Sequence, residues 1–231
     1  MNILKRIGIV GGLSPESTIL YYRTIIEEYR RRYNDYYYPV IMIYSVNFGE
    51  FTDYVRRGIY DKARELLLEA IKALARAGAD FALISANTPH MFFEYLKSNS
   101  PIPLLSIIDA LAEELKKDNI TRIGLLGTEF TLTKGFYAGG LRKHGIEAII
   151  PDREDIAIVN NIIYYELVKG IIRDGSREKV EKIIMKLIDK GAEAIALACT
   201  ELPLLIKKFD KTKIYDTARI HAIKALEYAI E

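Results

Sequence analysis

The sequence predicts an α/β protein made of two similar halves, each built on a parallel sheet. Short runs rich in β-branched residues alternate with amphipathic helical segments along all 231 residues. This alternation is typical of parallel sheets covered by helices on both faces. Several segments also recur, in the same order, in the second part of the chain. The halves are therefore expected to be related by a pseudo-twofold axis, with the active site in the cleft between them.

Eight segments have the composition of strands, and helical patterns separate them. In the pattern over 174–191, for example, apolar side chains recur at helical spacing. The predicted strands are Arg6–Val10, Pro39–Tyr44, Asp80–Ser85, Pro103–Ser106, Arg122–Leu126, Ile146–Ile150, Ala194–Ala198 and Lys213–Tyr215. We expect the first half to contain residues 1–102 and 215–231 and the second half to contain residues 103–214.

An internal repeat supports the division into halves. "RIGIVGG", which begins at Arg6, recurs 116 residues later as "RIGLLGT", which begins at Arg122. "GADFALISANTPH", which begins at Gly78, recurs 113 residues later as "GAEAIALACTELP", which begins at Gly191. Either match alone is weak, but two matches in one order at nearly one displacement indicate a duplicated unit. Because ligands bind beyond the carboxyl ends of parallel strands, "ANTPH" and "CTELP" are expected to face one cleft.

Composition excludes several classes of partner. A net charge of +2 gives no general attraction to nucleic acid or to a membrane surface. No apolar run approaches the roughly 20 residues needed to cross a bilayer. The start of the chain leaves no room for a signal peptide, and a single cysteine fits a reducing compartment, so a cytoplasmic location is expected. The lack of Gln and Trp, with many Ile, Tyr, Lys, Glu and Arg, is typical of heat-adapted proteins.

No motif for a cofactor or a metal ion is present. The glycines after the first strand lack the spacing of a dinucleotide site, and no Walker-type run occurs. Three scattered histidines do not make a zinc site. His90 and His221 are interpreted as structural residues, narrowly ahead of a functional role.

Cys199 is the first candidate catalytic residue. A lone cysteine is commonly an inert buried side chain. Here it follows a predicted strand and opens a helix, with Pro203 in the first turn. A helix start lowers the pKa of a thiol and favours the reactive thiolate, so a nucleophilic or basic role is the better hypothesis.

Small polar side chains accompany Cys199 at strand ends and helix starts. Hydroxyl and amide groups with free backbone N–H groups suit a carboxylate or an enolate-like dianion. The candidates are Ser14, Asn87, Thr88, Thr128, Thr131 and Thr200. Each alone is more commonly a helix N-cap, and Ser14 before Pro15 has that pattern. Matching positions in both repeats favour binding for Asn87, Thr88 and Thr200.

Together these motifs resemble the aspartate/glutamate racemase superfamily, and most closely its aspartate racemase branch. The matching stretches are "GIVGGLSPEST" followed by "YY", "ANTPHMFF", "LLGTEFTLTKGFY" and "ACTELPLL". The resemblance implies two α/β halves, an active site between them, a small amino-acid or dicarboxylate substrate, no cofactor and commonly a homodimer. It also implies two cysteines, one on each face of the substrate's Cα, that remove and return a proton.

The family's residues carry over only in part. Cys199 matches the second cysteine, and Glu201 takes the place of a histidine that assists the thiol in the glutamate racemase branch. Lys169 matches a lysine that contacts the distal carboxylate, whereas an arginine with that role has no counterpart in "VNFGEF". The first cysteine is replaced by Ala86, which is also the residue that the repeat aligns with Cys199. Neighbouring Ser85 is a poor substitute, because adjacent strand residues point to opposite faces.

Three functions remain open at this point. The first is a cofactor-independent racemase for an acidic amino acid such as aspartate, with Cys199 on one face and water or a hydroxyl on the other. The second is a single-cysteine decarboxylase or another isomerase, in which the thiol protonates a carbanion once. The third is a carboxylate-binding homologue whose catalysis is impaired.

Overall fold

The chain divides into two compact units. The structure, a computed structural model, describes residues 4–231. The first unit contains the residues up to Ile107 together with His221–Glu231, and the second contains Ile108–Ile220.

The first unit is built on a four-stranded parallel sheet with the strand order β2-β1-β3-β4. Its strands are β1 (Ile7–Gly11), β2 (Ile41–Ser45), β3 (Phe81–Ile84) and β4 (Leu104–Leu105). Its helices are α1 (Pro15–Tyr33), α2 (Phe48–Arg56), α3 (Tyr60–Arg76) and α4 (Phe93–Asn99), with a 3-10 turn over Thr88–Phe92.

The second unit repeats this arrangement in the order β6-β5-β7-β8. Its strands are β5 (Arg122–Gly127), β6 (Glu147–Ile149), β7 (Ala194–Ala198) and β8 (Ile214–Asp216). The remaining helices are α5 (Ile107–Lys117), α6 (Glu129–Thr133), α7 (Phe136–Lys143), α8 (Arg153–Tyr165), α9 (Asp174–Asp189), α10 (Leu202–Leu205) and α11 (Thr217–Ile230), with a 3-10 turn over Leu167–Lys169.

The two similar α/β halves predicted from the repeat are confirmed. All eight predicted strands form, and the two sheets have the same strand order once β1 is matched to β5 and β3 to β7. Both central strands of each sheet are buried apart from Arg122 at the start of β5, as expected for strands covered by helices on two faces.

The boundaries between the halves differ from the predicted 1–102 plus 215–231 and 103–214. Strand β4 pairs with β3 of the first sheet, and the whole of β8 pairs with β7 of the second. The chain passes from one unit to the other at the first residue of α5 and within α11. Neither passage is marked by a loop, so the sequence carries no Gly- or Pro-rich signal there.

Each sheet carries the same polar clamp at the amino ends of its central strands. In the first unit, Arg6 and Asp80 exchange backbone and side-chain hydrogen bonds, with N–H to carboxylate distances of 2.6 to 3.1 Å. In the second unit, Glu193 likewise accepts from the backbone of Arg122 and donates its own N–H to the Arg122 carbonyl. Each arginine guanidinium covers a left-handed glycine that ends the preceding helix, Gly78 in one unit and Gly191 in the other.

A buried histidine fastens α11 inside the first unit. The Tyr21 hydroxyl of α1 donates to Nδ1 of His221 at 2.9 Å, and Nε2–H of His221 donates to the Leu105 carbonyl at 3.1 Å. A carbonyl can only accept, so Nε2 carries the proton and the ring is neutral. His221 is fully buried, and burial lowers its pKa well below its usual range. The structural interpretation of this histidine is confirmed.

Mild acid is expected to destabilise the protein through His221. Because its folded pKa is depressed, only the unfolded chain takes up this proton below about pH 6.5, so stability falls as pH drops through that value. The free energy of unfolding should decrease by up to about 1.4 kcal/mol per pH unit for this group.

Urea unfolding at pH 7.0 and pH 5.5 measures the effect, and His221→Gln is the matched variant. The amide keeps a donor for Leu105 but cannot titrate, so the variant should be weaker at pH 7.0 and less sensitive to pH. Equal pH dependence in the two proteins would contradict the assignment.

Candidate active site at the strand ends

Cys199 follows the last residue of β7, a central strand of the second sheet. Ala198 pairs with Gly127 of β5, so Cys199 and Thr128 leave neighbouring strands side by side, with backbones about 5 Å apart. Cys199 is 7% exposed and belongs to an apolar cluster formed mainly by α8, α9, α10 and the sheet. The thiol is therefore held in apolar surroundings with a small opening.

The thiol is hydrogen-bonded to a carboxylate. Cys199 Sγ–H donates to Oε2 of Glu201 at 3.0 Å, and the hydroxyl of Thr200 donates to the same oxygen at 2.7 Å. Glu201 and Thr200 are half-buried. One carboxylate oxygen thus accepts two hydrogen bonds from consecutive residues, which links the side chains of the three predicted residues of "CTE".

The expectation that the helix start lowers the pKa of Cys199 is wrong for the free protein. Burial raises the pKa of the thiol well above its usual range, and the charge and hydrogen bond of Glu201 raise it further. Backbone N–H groups of Glu201 and Leu202 favour the thiolate, but their effect is smaller. Helix α10 has four residues, which is too short for a large dipole. The resting form is a neutral thiol beside a carboxylate.

Thr128 lies beside Cys199, and Thr131 is hydrogen-bonded to it. Thr128 is the N-cap of α6, with its Oγ1 accepting from the N–H of Thr131 at 3.2 Å and lying 3.0 Å from the Thr131 hydroxyl. Asn160 of α8 supports the same turn by accepting the N–H of Glu129 at 3.0 Å. Thr128 therefore has the capping role with Thr131 as its partner, and the substrate contacts of both stay a prediction.

Lys169 lies in the 3-10 turn that follows α8. Its side chain is exposed, and Nζ lies 5.9 Å from the centre of the Tyr165 ring. Leu167 of the same turn packs in the cluster that contains Cys199 and Leu202. The turn thus lies against the residues that follow β7, with an ammonium group available to a ligand.

Ala86 lies just beyond β3, the central strand of the first sheet. It is 6% exposed, and its N–H donates to the carbonyl of Ile84 at 2.8 Å. Asn87 is buried and Thr88 half-buried at the start of the following 3-10 turn. The positions predicted from the repeat therefore lie at equivalent strand ends, with a methyl group where the second unit has a thiol.

A network of hydroxyl groups joins the start of α1 to the end of β3. Ser14 caps α1 by accepting the N–H of Ser17 at 3.4 Å, and the Ser17 hydroxyl lies 2.6 Å from the Ser85 carbonyl. Ser85 is fully buried, and its hydroxyl donates to the Val10 carbonyl at 3.2 Å. Ser85 is thus committed to the backbone, in agreement with its expected failure to replace a cysteine. Ser14 has the capping role.

Two residues at these strand ends escaped the sequence interpretation. Asp216 ends β8, and its Oδ1 accepts the N–H groups of Ala218 and Arg219 at 3.1 Å each. Burial raises the pKa of this carboxyl. The pattern strand–Asp–Thr–helix was the available signal. Asn160 gave no signal, because it lies in mid-helix, 31 residues from the group that it caps.

Residues 4–231 contain neither a metal-ligand cluster nor a membrane-spanning helix. No group of three or more His, Cys, Asp or Glu side chains in this range is arranged to hold a metal ion. None of the helices in the same range is both long and apolar enough to cross a bilayer.

Comparison with known proteins decides the family. Residues 10–225 match the family model for Asp/Glu/hydantoin racemases. The chain belongs to the Asp/Glu/hydantoin racemase family. An aspartate racemase homologue from Pyrococcus horikoshii OT3 superposes with a TM-score of 0.88 at 40% identity, covering 99% of this chain and 100% of that one. Picrophilus torridus aspartate racemase superposes with a TM-score of 0.75 at 28% identity, covering 97% of this chain and 94% of that one.

A curated relative is also similar over most of its length. The broad specificity amino-acid racemase RacX of Bacillus subtilis (strain 168) is 27% identical over 202 residues, which make up 85% of each protein. The structural and sequence relatives together support a racemase, an isomerase that acts on small amino acids.

The carboxylate of Glu201 is expected to control the reactivity of Cys199. The wild-type thiol should react with iodoacetamide more slowly than glutathione at pH 7, because its pKa is raised. Glu201→Gln removes the charge that opposes ionisation, so the rate at pH 7 should rise and the rate–pH profile should move to lower pH.

Cys199 is the only cysteine in the chain, so total alkylation reports on it alone. Thr200→Val, which removes a hydrogen bond but no charge, is the control and should change the profile less. If the wild-type thiol is alkylated faster than glutathione and Glu201→Gln does not change the rate, the assigned effect of Glu201 is wrong.

Proposed function

We propose that the protein is a cofactor-independent racemase for an acidic amino acid, with aspartate as the first substrate to test. Cys199 and Glu201 would exchange the Cα proton on one face of the substrate. The observation that carries the proposal is the hydrogen bond from the Cys199 thiol to the Glu201 carboxylate, at the end of a central strand in a racemase family member.

The pair can act in both directions of proton transfer. As a base, Cys199 first passes its proton to Glu201, and the thiolate then takes the Cα proton. The C–H bond breaks, a new S–H bond forms, and the electron pair delocalises into the substrate's α-carboxylate. As an acid, the neutral thiol donates its proton to a carbanion formed from the other face, and solvent reprotonates the thiolate that remains. After the base step, the proton held by Glu201 passes to solvent, which returns both groups to the resting state. A positioned acid–base group of this kind contributes roughly 10²–10⁴-fold to a rate.

The opposite face of Cα is assigned to position 86. Ala86 carries no transferable proton, so water or a nearby hydroxyl would protonate the carbanion on this side. The missing group predicts slow inversion and faster exchange of the Cα proton on the Cys199 face. Among the candidate binding residues, Asn87, Thr88 and Thr200 would hold the α-carboxylate, with Ser14, Thr128 and Thr131 supporting the turns.

The choice of an acidic substrate is supported by Lys169. Its exposed ammonium lies in a turn packed against the residues that follow β7, where a distal carboxylate could reach it. The segments that immediately follow β1, β2 and β3 contain no positively charged side chain. The first arginine or lysine after each strand is Arg23, Arg56 and Lys97, respectively. A second carboxylate would therefore depend on the second unit.

One observation also favours a second function. A neutral thiol on one face and a methyl group at position 86 provide a single proton donor, which is sufficient for a decarboxylase that protonates its carbanion once. A homologue that binds carboxylates without turnover is the third possibility. All three differ in what they do to the Cα proton.

Incubation with L- and D-aspartate in D₂O separates these functions. We expect deuterium at Cα of one enantiomer with slow inversion, and Cys199→Ala should abolish both. Ala86→Cys should raise racemisation by roughly 10²-fold, because it restores a proton carrier on the other face. The double variant Ala86→Cys, Cys199→Ala should lose that gain, because the two groups act as a unit.

Three results would contradict the racemase assignment. They are no exchange with aspartate or glutamate, release of CO₂ from a substituted malonate, and an Ala86→Cys variant that folds and binds succinate yet racemises no faster. The second favours the decarboxylase, and the first and third favour the decarboxylase or a binding protein.

We further propose that the protein is a homodimer joined through an apolar edge surface on the first unit. Half of the strongly exposed large apolar side chains in residues 4–231 belong to it: Ile19, Tyr22, Tyr33, Tyr36, Tyr37, Val40, Ile43, Tyr44 and Phe48. Strand β2 is the edge of its sheet, so one side of its backbone is available to pair. Ile43 of β2 and Thr18 of α1 both lie against Gly11, which places the two elements side by side.

The size of this surface fits a dimer. A large side chain buries about 150–250 Å² when fully covered, and these nine are about half exposed. They therefore offer on the order of 800 Å² per copy, which is the usual contribution to a stable interface. A twofold contact would use the same patch on both copies.

A charge on the edge strand is expected to separate the dimer. Ile43→Lys places an ammonium in the centre of the surface, as natural sheet edges do to prevent pairing. Light scattering after size-exclusion chromatography should show a dimer for wild type and a monomer for the variant. Ile158→Lys on α8 is the matched control, because Ile158 is comparably exposed but lies in the second unit. A monomeric wild type, or equal dissociation in both variants, would refute the assignment.

A further inference from the structure

His90 joins the Ala86 turn to the start of α5. Its Nδ1–H donates to the Ala86 carbonyl at 2.8 Å, and its Nε2 accepts the N–H of Ile107 at 3.1 Å. The N–H of Ile107 can only donate, so Nε2 is unprotonated and the proton is on Nδ1. The backbone N–H of His90 adds a third bond, to the Asn87 carbonyl at 3.0 Å.

The imidazole ring has no freedom to leave this position. It is 3% exposed, stacks on Phe93 with ring centres 5.5 Å apart, and meets the edge of His221 at 5.7 Å. With the Ala86 N–H bound to Ile84, both peptide groups that flank the Ala86 Cα are held by hydrogen bonds. The direction of the Ala86 Cβ and of the Asn87 N–H is therefore determined largely by His90.

This arrangement distinguishes the two units. The displacement of 113 residues that matches Ala86 to Cys199 matches His90 to Pro203, which has no imidazole and no backbone N–H. The turn after β7 is closed instead by the Leu202 N–H, which donates to the Cys199 carbonyl at 3.3 Å. Of these two repeat-related turns, only the turn after β3 is held by a histidine whose tautomer is fixed by two hydrogen bonds.

We propose that His90 is a positioning residue that fixes the turn presenting position 86 and Asn87 to the substrate. The proposal rests on the proposed function, in that this turn lies against one face of Cα. His90 has no contact with the substrate in this account. Its contribution is made through the Ala86 carbonyl, and the bond to Ile107 serves to hold the ring and the start of α5.

Two amide variants separate the two ring bonds. Asn places a side-chain N–H near the position of Nδ1, so His90→Asn keeps the bond to Ala86 and loses the bond to Ile107. Gln reaches the position of Nε2 with an oxygen, so His90→Gln keeps the Ile107 bond and loses the Ala86 bond. Both variants remove the imidazole ring, so each serves as the control for the other.

Hydrogen exchange followed by mass spectrometry tests the turn directly. In His90→Gln, amides 85–88 should exchange faster than in wild type while those of 107–112 do not. In His90→Asn the pattern should reverse. Unchanged protection of amides 85–88 in His90→Gln overturns the proposal, and this result does not depend on any activity.

Function is read from Cα exchange of aspartate in D₂O and from succinate affinity. His90→Gln should lower the exchange rate about 10-fold or more, because an ångström-scale misplacement can cost 10²-fold. His90→Asn should stay within about threefold of wild type, although its urea midpoint falls further. If the variant with the lower urea midpoint is also the variant with the lower activity, the role of His90 is purely structural and the proposal is overturned.

The two proposals fail in different ways. If wild type neither exchanges the Cα proton nor binds succinate, the proposed function is rejected, and the protection of amides 85–88 alone decides whether His90 holds the turn. If wild type is active and both variants match it, the proposed function stands and the role of His90 is rejected.

Discussion

The parallel pairing of two central strands in each unit determines where Cys199, position 86 and the small polar candidates beside them lie. Strands β1 and β3, and likewise β5 and β7, are buried on both faces, so only their ends reach solvent. A parallel sheet brings all carboxyl ends to one edge. Ala86 and Cys199 each follow the last residues of such a strand, and short polar side chains close the turns beside them.

Burial at the strand end sets the chemistry of the thiol. The same apolar cluster that stabilises β7 and α10 removes water from Cys199, and the thiol therefore keeps its proton. In the proposed function, Glu201 would accept this proton when the substrate is bound. A substrate ammonium near Glu201 would weaken the effect of the carboxylate on the pKa of the thiol, and binding would thereby prepare the base.

Much of the fold could be predicted because its signals are local or repeated. The eight strands follow from short buried runs, and the two-unit architecture follows from a duplication that retained "RIG" and "GA" at matching places. The boundaries could not be predicted, since α5 and α11 cross from one unit to the other as continuous helices.

The positions of the candidate residues at the strand ends were predictable, but their electrostatics were not. The motif brought Cys199, Thr200 and Glu201 together correctly, yet the pKa of the thiol depends on distant residues such as Leu167 and Val180 that exclude water from the cluster. The two partners of His90 lie at different sequence separations, 4 and 17 residues, so no local pattern reveals both. The predicted cleft, the axis and the cytoplasmic location stay predictions.

The clamp formed by Arg6 with Asp80, and by Arg122 with Glu193, lies at the strand ends opposite to all of this chemistry. Both copies have kept it, together with the glycines beneath the guanidinium groups. The other edge has diverged, to alanine and histidine in one copy and to cysteine and proline in the other. Because the two functions lie at opposite strand ends, a duplicated unit can change the residues at its carboxyl ends while those at its amino ends still stabilise the sheet. New reactivities in such a protein can therefore arise by substitutions at one end of the strands, without a new fold.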